Sequence, residues 1–496
     1  LTAGVADGAG NAVSLSLDIY HTNIEKVTVL DFAPDDTADV TVNIAAAWTG
    51  TALEIDATSL DQNALNSAAN EGLKVDQNTA DLAALTVKGG EGVDTITSGA
   101  GNDHISGNGG IDTIVTSAGN DSIYGGEGND IITPGAGRDY AEGGAGNDTF
   151  IVLSDAEFEV SGGTETLDGG AGTDSLVFKG TGAARDISSA EMGSVKNIEV
   201  ITIHSDTANF DSTIGLSDAF FSNNNDSVIV NANSTGNTAA QTKVDAASVS
   251  SGSVTLVMKG NTTGADDTLI GGGGDDTIQV GYKGLTAASS ADFEATDVFT
   301  GNGGTDTILF DTQADGSTNG AGAITAEIDF DLVTGVERIL VSDADGATAA
   351  NADAIVVNLT ADVTTANVPA AFEYDGSVKT DTTDTQHFNR SNDTTATNSA
   401  LTTSFTLKGG AAIDKLFGAA GTDHIEGGAG NDLLLGFGQS DTIDGGSGDD
   451  TITGGDETAL TGVGDSLSGG AGADAIYGEA GDDTINGGDG ADSITG

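Results

Sequence analysis

The sequence predicts an all-β chain in which parallel β-roll or β-solenoid arrays of nonapeptide repeats alternate with β-rich modules. Three observations lead there. Residues 89 to 151 divide into seven nines in one register, from GGEGVDTIT to GGAGNDTFI, each with aspartate at position six and an apolar residue at position eight. A second array, over 409 to 496, closes the chain. The segments between carry strand-like runs in a recurring order. Similarity at a short fixed period marks a coil that stacks on copies of itself.

Each block divides into a turn and a strand. Glycine at positions one, two and four permits left-handed backbone and close approach, and turns the loop carbonyls toward a common point. Position eight points inward: Ile96, Ile105, Ile114, Ile123, Ile132, Ala141 and Phe150. A nonapeptide is then half a coil, and residues 18 apart stack on one edge, about ~4.8 Å from each other. Asp94, Asp112, Asp130 and Asp148 line one edge; Asp103, Asp121 and Asp139 line the other. A cation between stacked loops meets carbonyls and a carboxylate from each. About six hard oxygens in a flexible frame suit calcium better than magnesium, and no recurring nitrogen or sulfur ligand favours a transition metal.

In the closing array Asp414, Asp423, Asp432, Asp441 and Asp450 lie nine apart, an insertion of six falls within 454 to 468, and Asp465, Asp474, Asp483 and Asp492 resume the period. Pairs 18 apart number five in the first array, three over 414 to 450 and two beyond the insertion, which predicts about ten calcium ions. The candidate ligands also include Asp174 in GGAGTDSLV, Asp306 in GNGGTDTIL, and Asp267 and Asp276 in a two-block array. Neither Asp267 nor Asp276 has an aspartate 18 away, so a site there requires ligands from outside the array.

The rest of the chain reads as strands. Val13 to Leu17 and Val40 to Ile44 alternate with period two, and Leu85 to Lys88 runs into the first Gly-Gly. A Glu-bearing strand (Glu25, Glu199, Glu337) precedes a strand ending in Lys88, Lys259 or Lys408, at spacings of 63, 60 and 71. That order predicts three copies of one module. The expected domains are 1–88, the roll 89–151, a module 152–300 with a short array at 264–280, a module 301–408, and the roll 409–496. Thr380 to Thr403, rich in Thr, Asn and Asp, reads as a surface loop, and Trp48 as packed within the first module. Both chain ends read as cuts in a longer protein.

Charge sets the partners. With 77 acidic against 15 basic residues the net charge is −62, which excludes nucleic acid and anionic membrane surfaces as partners. About ten calcium ions supply roughly +20, so metal-free rolls should repel themselves and metal binding should couple to folding. There is no cysteine, hence no disulfide and no thiolate zinc site. No run of 18 apolar residues and no signal-peptide pattern occurs, so no membrane insertion is expected.

The tandem nonapeptides resemble the RTX (repeats-in-toxin) family of secreted calcium-binding β-rolls. That resemblance implies one-step (type I) export from a Gram-negative bacterium to the extracellular space or cell surface. The order of G-T-D nonapeptide, Glu-bearing strand and further nonapeptides is similar to bacterial surface-layer proteins of the RTX type. Ala141 at the inward position, and Ser98, Thr116 and Pro134 at position one, depart from the pattern and weaken individual loops. Glu25, Glu199 and Glu337 read as capping or solvent-side carboxylates, with a calcium or inter-module contact as the alternative. His104 and His424 read as outward-facing strand residues rather than ligands.

No H-E-x-x-H, no G-x-S-x-G and no cysteine nucleophile is present. The expectation is therefore no enzyme but a calcium-binding extracellular structural protein, assembling with copies of itself into a surface layer, sheath or matrix fibre, with cell-surface polysaccharide as a further candidate partner. The alternatives are an adhesin fragment that binds a glycan or another surface, and the carrier region of a secreted toxin or hydrolase.

Overall fold

The computed structural model describes residues 2–5, 14–15, 25–31, 40–44, 52–58, 72–77, 84–158, 165–180, 185–205, 212–233, 241–259, 267–280, 297–311, 324–328, 333–342, 355–359, 371–375, 386–390, 404–456 and 463–496. Two compact units divide the chain: Leu1–Ala208 with Ser212–Asn231, and Asn209–Asp211 with Ala232–Gly496. Among the described residues the strand pairings are parallel, as a coil that always advances in one direction requires.

In the first unit the chain passes back and forth between two sheets. Strands Ala84–Lys88, His104–Gly109, Ser122–Glu127, Tyr140–Ala145 and Thr166–Ala171 lie side by side in one. Strands Leu73–Gln77, Thr95–Thr97, Thr113–Val115, Ile131–Thr133, Thr149–Val152 and Ser175–Gly180 lie side by side in the other. The period of 18 appears as register: Ile114 pairs with Ile96 on one side and Ile132 on the other, while Ile123 pairs with Ile105 and Ala141. The inward residues from Ile96 to Phe150 are all fully buried, Ala141 included. Apolar rows thus run along both inner faces, with each isoleucine stacked between residues one coil before and one coil after.

The runs outside the nonapeptides belong to the same sheets. Val75 pairs with Ile96, Val87 with Ile105, Leu167 with Ala141, and Leu176 with Phe150. The second unit repeats this. Strands Arg338–Ser342, Ala371–Asp375, Ser404–Lys408, His424–Ala429, Thr442–Ser447 and Ser466–Ala471 succeed one another in one sheet. Ile355–Leu359, Gln386–Arg390, Lys415–Phe417, Leu433–Phe437, Thr451–Asp456 and Ala475–Ala480 do so in another. What reads as alternation of rolls with other modules is, among the described residues of each unit, coiling with half-coils of different length. The fold is all-β and parallel; the longest described helix is Asp218–Asn223.

One stretch departs from its sequence reading. Gln386–Arg390, inside the segment taken for a surface loop, is a strand paired with Ile355–Leu359 and, through His387 and Phe388, with Lys415–Phe417. Its polar composition concealed a coil position that the neighbouring strands on both sides impose. The rest of that segment, Trp48 and the middle of the insertion at 454 to 468 lie outside the described residues.

Because each inward residue is fully enclosed, Ile123→Ala should leave a cavity between stacked coils and cost about 3 kcal/mol. Denaturant unfolding with saturating calcium measures it. An equal truncation at the exposed Val93 should stay within about 0.5 kcal/mol.

Candidate metal centre

From Asp94 to Asp474 each position-six aspartate is buried where the chain turns from one sheet to the other, while Asp483 and Asp492 are half-buried, and the two carboxylate oxygens have different fates. Oδ1 accepts a hydrogen bond from the backbone N–H of the aspartate one coil earlier. Asp94 N–H donates to Asp112 at 2.7 Å, Asp112 N–H to Asp130 at 2.7 Å, and Asp130 N–H to Asp148 at 2.8 Å. The opposite edge repeats this from Asp103 to Asp121 and from Asp121 to Asp139, both at 2.7 Å. A second ladder runs the other way at position five: Asn147 N–H donates to Asn129 Oδ1 at 2.7 Å and Asn120 N–H to Asn102 Oδ1 at 2.9 Å. The Gly-Asn-Asp signature thus holds consecutive loops together in both directions, through side chains that stand in for strand hydrogen bonds where the sheets are interrupted.

Oδ2 accepts a loop N–H at Asp94, Asp276, Asp414 and Asp423, from Gly90, Gly272, Gly410 and Ala419; in other loops it is left without one. In Asp112, Asp130, Asp148, Asp174, Asp306, Asp432, Asp450 and Asp474 this oxygen is buried and accepts no hydrogen bond. An ionised oxygen in that state is costly unless a cation meets it. Burial pushes the Asp112 carboxyl up to about 8 and Asp130 to about 7, partly offset by the backbone N–H each accepts, with charged neighbours in the stack adding to the rise. Burial likewise raises Asp432 and Asp450 to about 7.

Glycine at position one keeps open the space that Oδ2 faces. A Cβ placed on Gly107 would come closer than 3.0 Å to both Asp112 Oδ2 and the carbonyl oxygen of Gly125, one coil on. The same two kinds of oxygen crowd the corresponding points at Gly89, Gly125, Gly409 and Gly427. The position-one carbonyl of one loop therefore converges with the aspartate carboxylate of the loop before it, over a floor with no side chain. Among the described residues no three acidic or imidazole side chains come together as a metal cluster, so most ligands here are backbone oxygens. Hard, mostly neutral oxygens with one or two carboxylates fit calcium. Gly107→Ala should displace the Asp112 carboxylate and abolish binding at that loop, measured as at least one calcium ion lost per chain.

Sequence comparison agrees with this geometry. Residues 86–114, 106–141, 135–154, 160–177, 261–281, 406–434, 435–457 and 461–494 match the family model of the RTX calcium-binding nonapeptide repeat (4 copies). The arrays are RTX calcium-binding nonapeptide repeats. No curated protein matches the chain significantly.

The RTX ladders extend past the spacing of 18. Asp148 N–H donates to Asp174 across 26 residues. Asp441 and Asp450 donate to Asp465 and Asp474 across 24, so the stack continues past the insertion. Asp267 and Asp276, which have no aspartate 18 away, meet one outside their array, 30 residues on: Asp267 N–H meets Asp297 Oδ1 at 2.9 Å and Asp276 N–H meets Asp306 Oδ1 at 2.8 Å. Longer connecting loops change the spacing but not the rung. Asp465 and Asp474 in turn donate to Asp483 and Asp492 at 3.0 and 3.2 Å. Asp414 and Asp423 open the second array by donating to Asp432 and Asp441.

Three features were missed in the sequence. Asp297 occupies a ladder position, visible only as an Asp-x-Phe triplet without glycines. Glu165 takes the place after Asp139: Thr166 N–H bonds the Asp139 carbonyl, and Glu165 is buried beside the Asp139 carboxyl. The position-five asparagines form the second ladder. Glu199 and Glu337, read as capping or solvent-side carboxylates, follow the last aspartate of a ladder, each Oε2 accepting from the N–H of Asp174 or Asp306 at 2.8 and 2.9 Å. That favours capping over calcium for those two. His104 is exposed and edge-on to Tyr124, and His424 pairs with Glu426 at 2.8 Å, so both face outward.

Proposed function

We propose that this chain is a secreted structural protein whose RTX rolls fold on calcium, and that copies of it assemble into a surface layer, sheath or matrix fibre on a Gram-negative cell. The observation that carries the reading is the continuity of the coils. In each unit the strands between the arrays add to the sheets the arrays build, so the calcium-binding segments are part of the body of the protein and not an appendage to a separate one. A stiff, repetitive, highly acidic body suits a building element, and divalent ions suit the joining of acidic surfaces. Calcium fills the rolls and bridges neighbouring copies. No catalytic role is assigned.

Electron microscopy of the chain with calcium, and again after excess chelator, tests this. Ordered sheets or fibres that disperse on chelation are expected. Assemblies unchanged by chelator would overturn it. A chain that stays monomeric with calcium would point instead to an adhesin.

A further inference from the structure

The two edges of the first roll are built differently. On the edge of Asp94, Asp112 and Asp130, position one is always glycine (Gly89, Gly107, Gly125). Strands His104–Gly109, Ser122–Glu127 and Tyr140–Ala145 run on through these loops. On the other edge position one is Ser98, Thr116 and Pro134, and strands Thr95–Thr97, Thr113–Val115 and Ile131–Thr133 stop just before them. Both edges of the closing array keep glycine there, as at Gly418 and Gly427.

The glycine edge explains why this matters. At Gly89, Gly107 and Gly125 an added Cβ would stand closer than 3.0 Å to the aspartate Oδ2 and to the position-one carbonyl of the next coil. Those are the oxygens that converge as a cation cradle. Ser98, Thr116 and Pro134 each bring a Cβ. Thr116 is buried, and its hydroxyl donates to the carbonyl of Pro134, the position-one carbonyl of the next coil. On the glycine edge that carbonyl is left facing the cradle. Asp121 Oδ2 and Asp139 Oδ2 are buried without a hydrogen-bond partner, as on the glycine edge; what differs is the side chain at position one.

We propose that the first roll takes calcium along one edge only: the loops over Gly89, Gly107 and Gly125 hold ions, and on the opposite edge the side chains of Ser98, Thr116 and Pro134 occupy the ion's place. This rests on the calcium-binding reading of the rolls and refines it. The edge of Asp103, Asp121 and Asp139 is then a closed spine that takes no ion.

The test counts calcium per full-length chain by equilibrium dialysis and elemental analysis. Asp112→Asn should lose at least one ion and Asp121→Asn none; Asn keeps the Oδ1 rung in both. Thr116→Val and Ser98→Ala, which delete hydroxyls without opening the loop, should also leave the count unchanged, and they serve if Asp121→Asn fails to fold. An ion lost in Asp121→Asn, Thr116→Val or Ser98→Ala overturns the proposal while leaving the calcium reading intact. A wild-type chain that binds no calcium overturns both.

Discussion

Stripping calcium from the full chain is expected to unwind its nonapeptide arrays and abolish most of their β-sheet signal. The reason lies in the stacked carboxylates. Along the edge of Asp112, Asp130, Asp148 and Asp174, each residue buries an oxygen that no protein donor meets. The whole chain carries a net charge of −62. Without a cation these groups must either take up protons or leave the interior, and at neutral pH leaving the interior also relieves repulsion between coils. The isoleucine rows oppose this, but each half-coil contributes one such side chain against one carboxylate, and the glycines add the largest backbone entropy of any residue to the unfolded state. Circular dichroism and small-angle scattering are the measurements. Chelation should move the radius of gyration toward the unfolded value of roughly 80 Å, and calcium should reverse it. Magnesium at equal concentration should not, because it demands a tight octahedron and dehydrates reluctantly. A chelated chain that keeps its β signal and compactness would show that the apolar rows and ladders suffice alone.

The periodic parts of this architecture are legible in the sequence because one residue type does one job at each position. Asp at six, glycine at one and an apolar residue at eight fix the half-coil, the edge and the inward row, and the structure keeps all three. Legibility fails where the spacing changes. The rung from Asp148 to Asp174 spans 26 residues and that from Asp276 to Asp306 spans 30. A coil tolerates a longer loop at its edge at small entropic cost, so neighbours in space cease to be neighbours by period. Asp297 and Glu165 were hidden for the same reason, since they keep the carboxylate and the apolar residue two places on but lack the glycines. Gln386–Arg390 was hidden by composition: its strand is imposed by partners on both sides rather than by its own pattern. The asparagine ladder required knowing that position five of one coil lies against position five of the next.

The sign of the pH dependence should reverse with calcium. In the metal-free chain burial raises Asp112 to about 8 and Asp130, Asp432 and Asp450 to about 7, against about 3.9 in the unfolded chain. Between those limits the folded state binds more protons than the unfolded one, so stability falls as pH rises. It is fully present below about pH 4, and is lost as pH climbs through 7 to 8, the folded-state values of these groups. Metal-free chain should therefore be more structured at about pH 5 than at about pH 8. With saturating calcium the folded state prefers ionised carboxylates, protons compete with the ion, and stability should rise over the same interval. Thermal unfolding at several pH values, with and without calcium, should give two curves that meet at acid pH, where protons displace the ion, and diverge as pH rises. Asp112→Asn removes one titrating group and should flatten the metal-free curve, while weakening the calcium curve where it is highest. Parallel curves would mean that the buried carboxylates are not what links the ion to the fold.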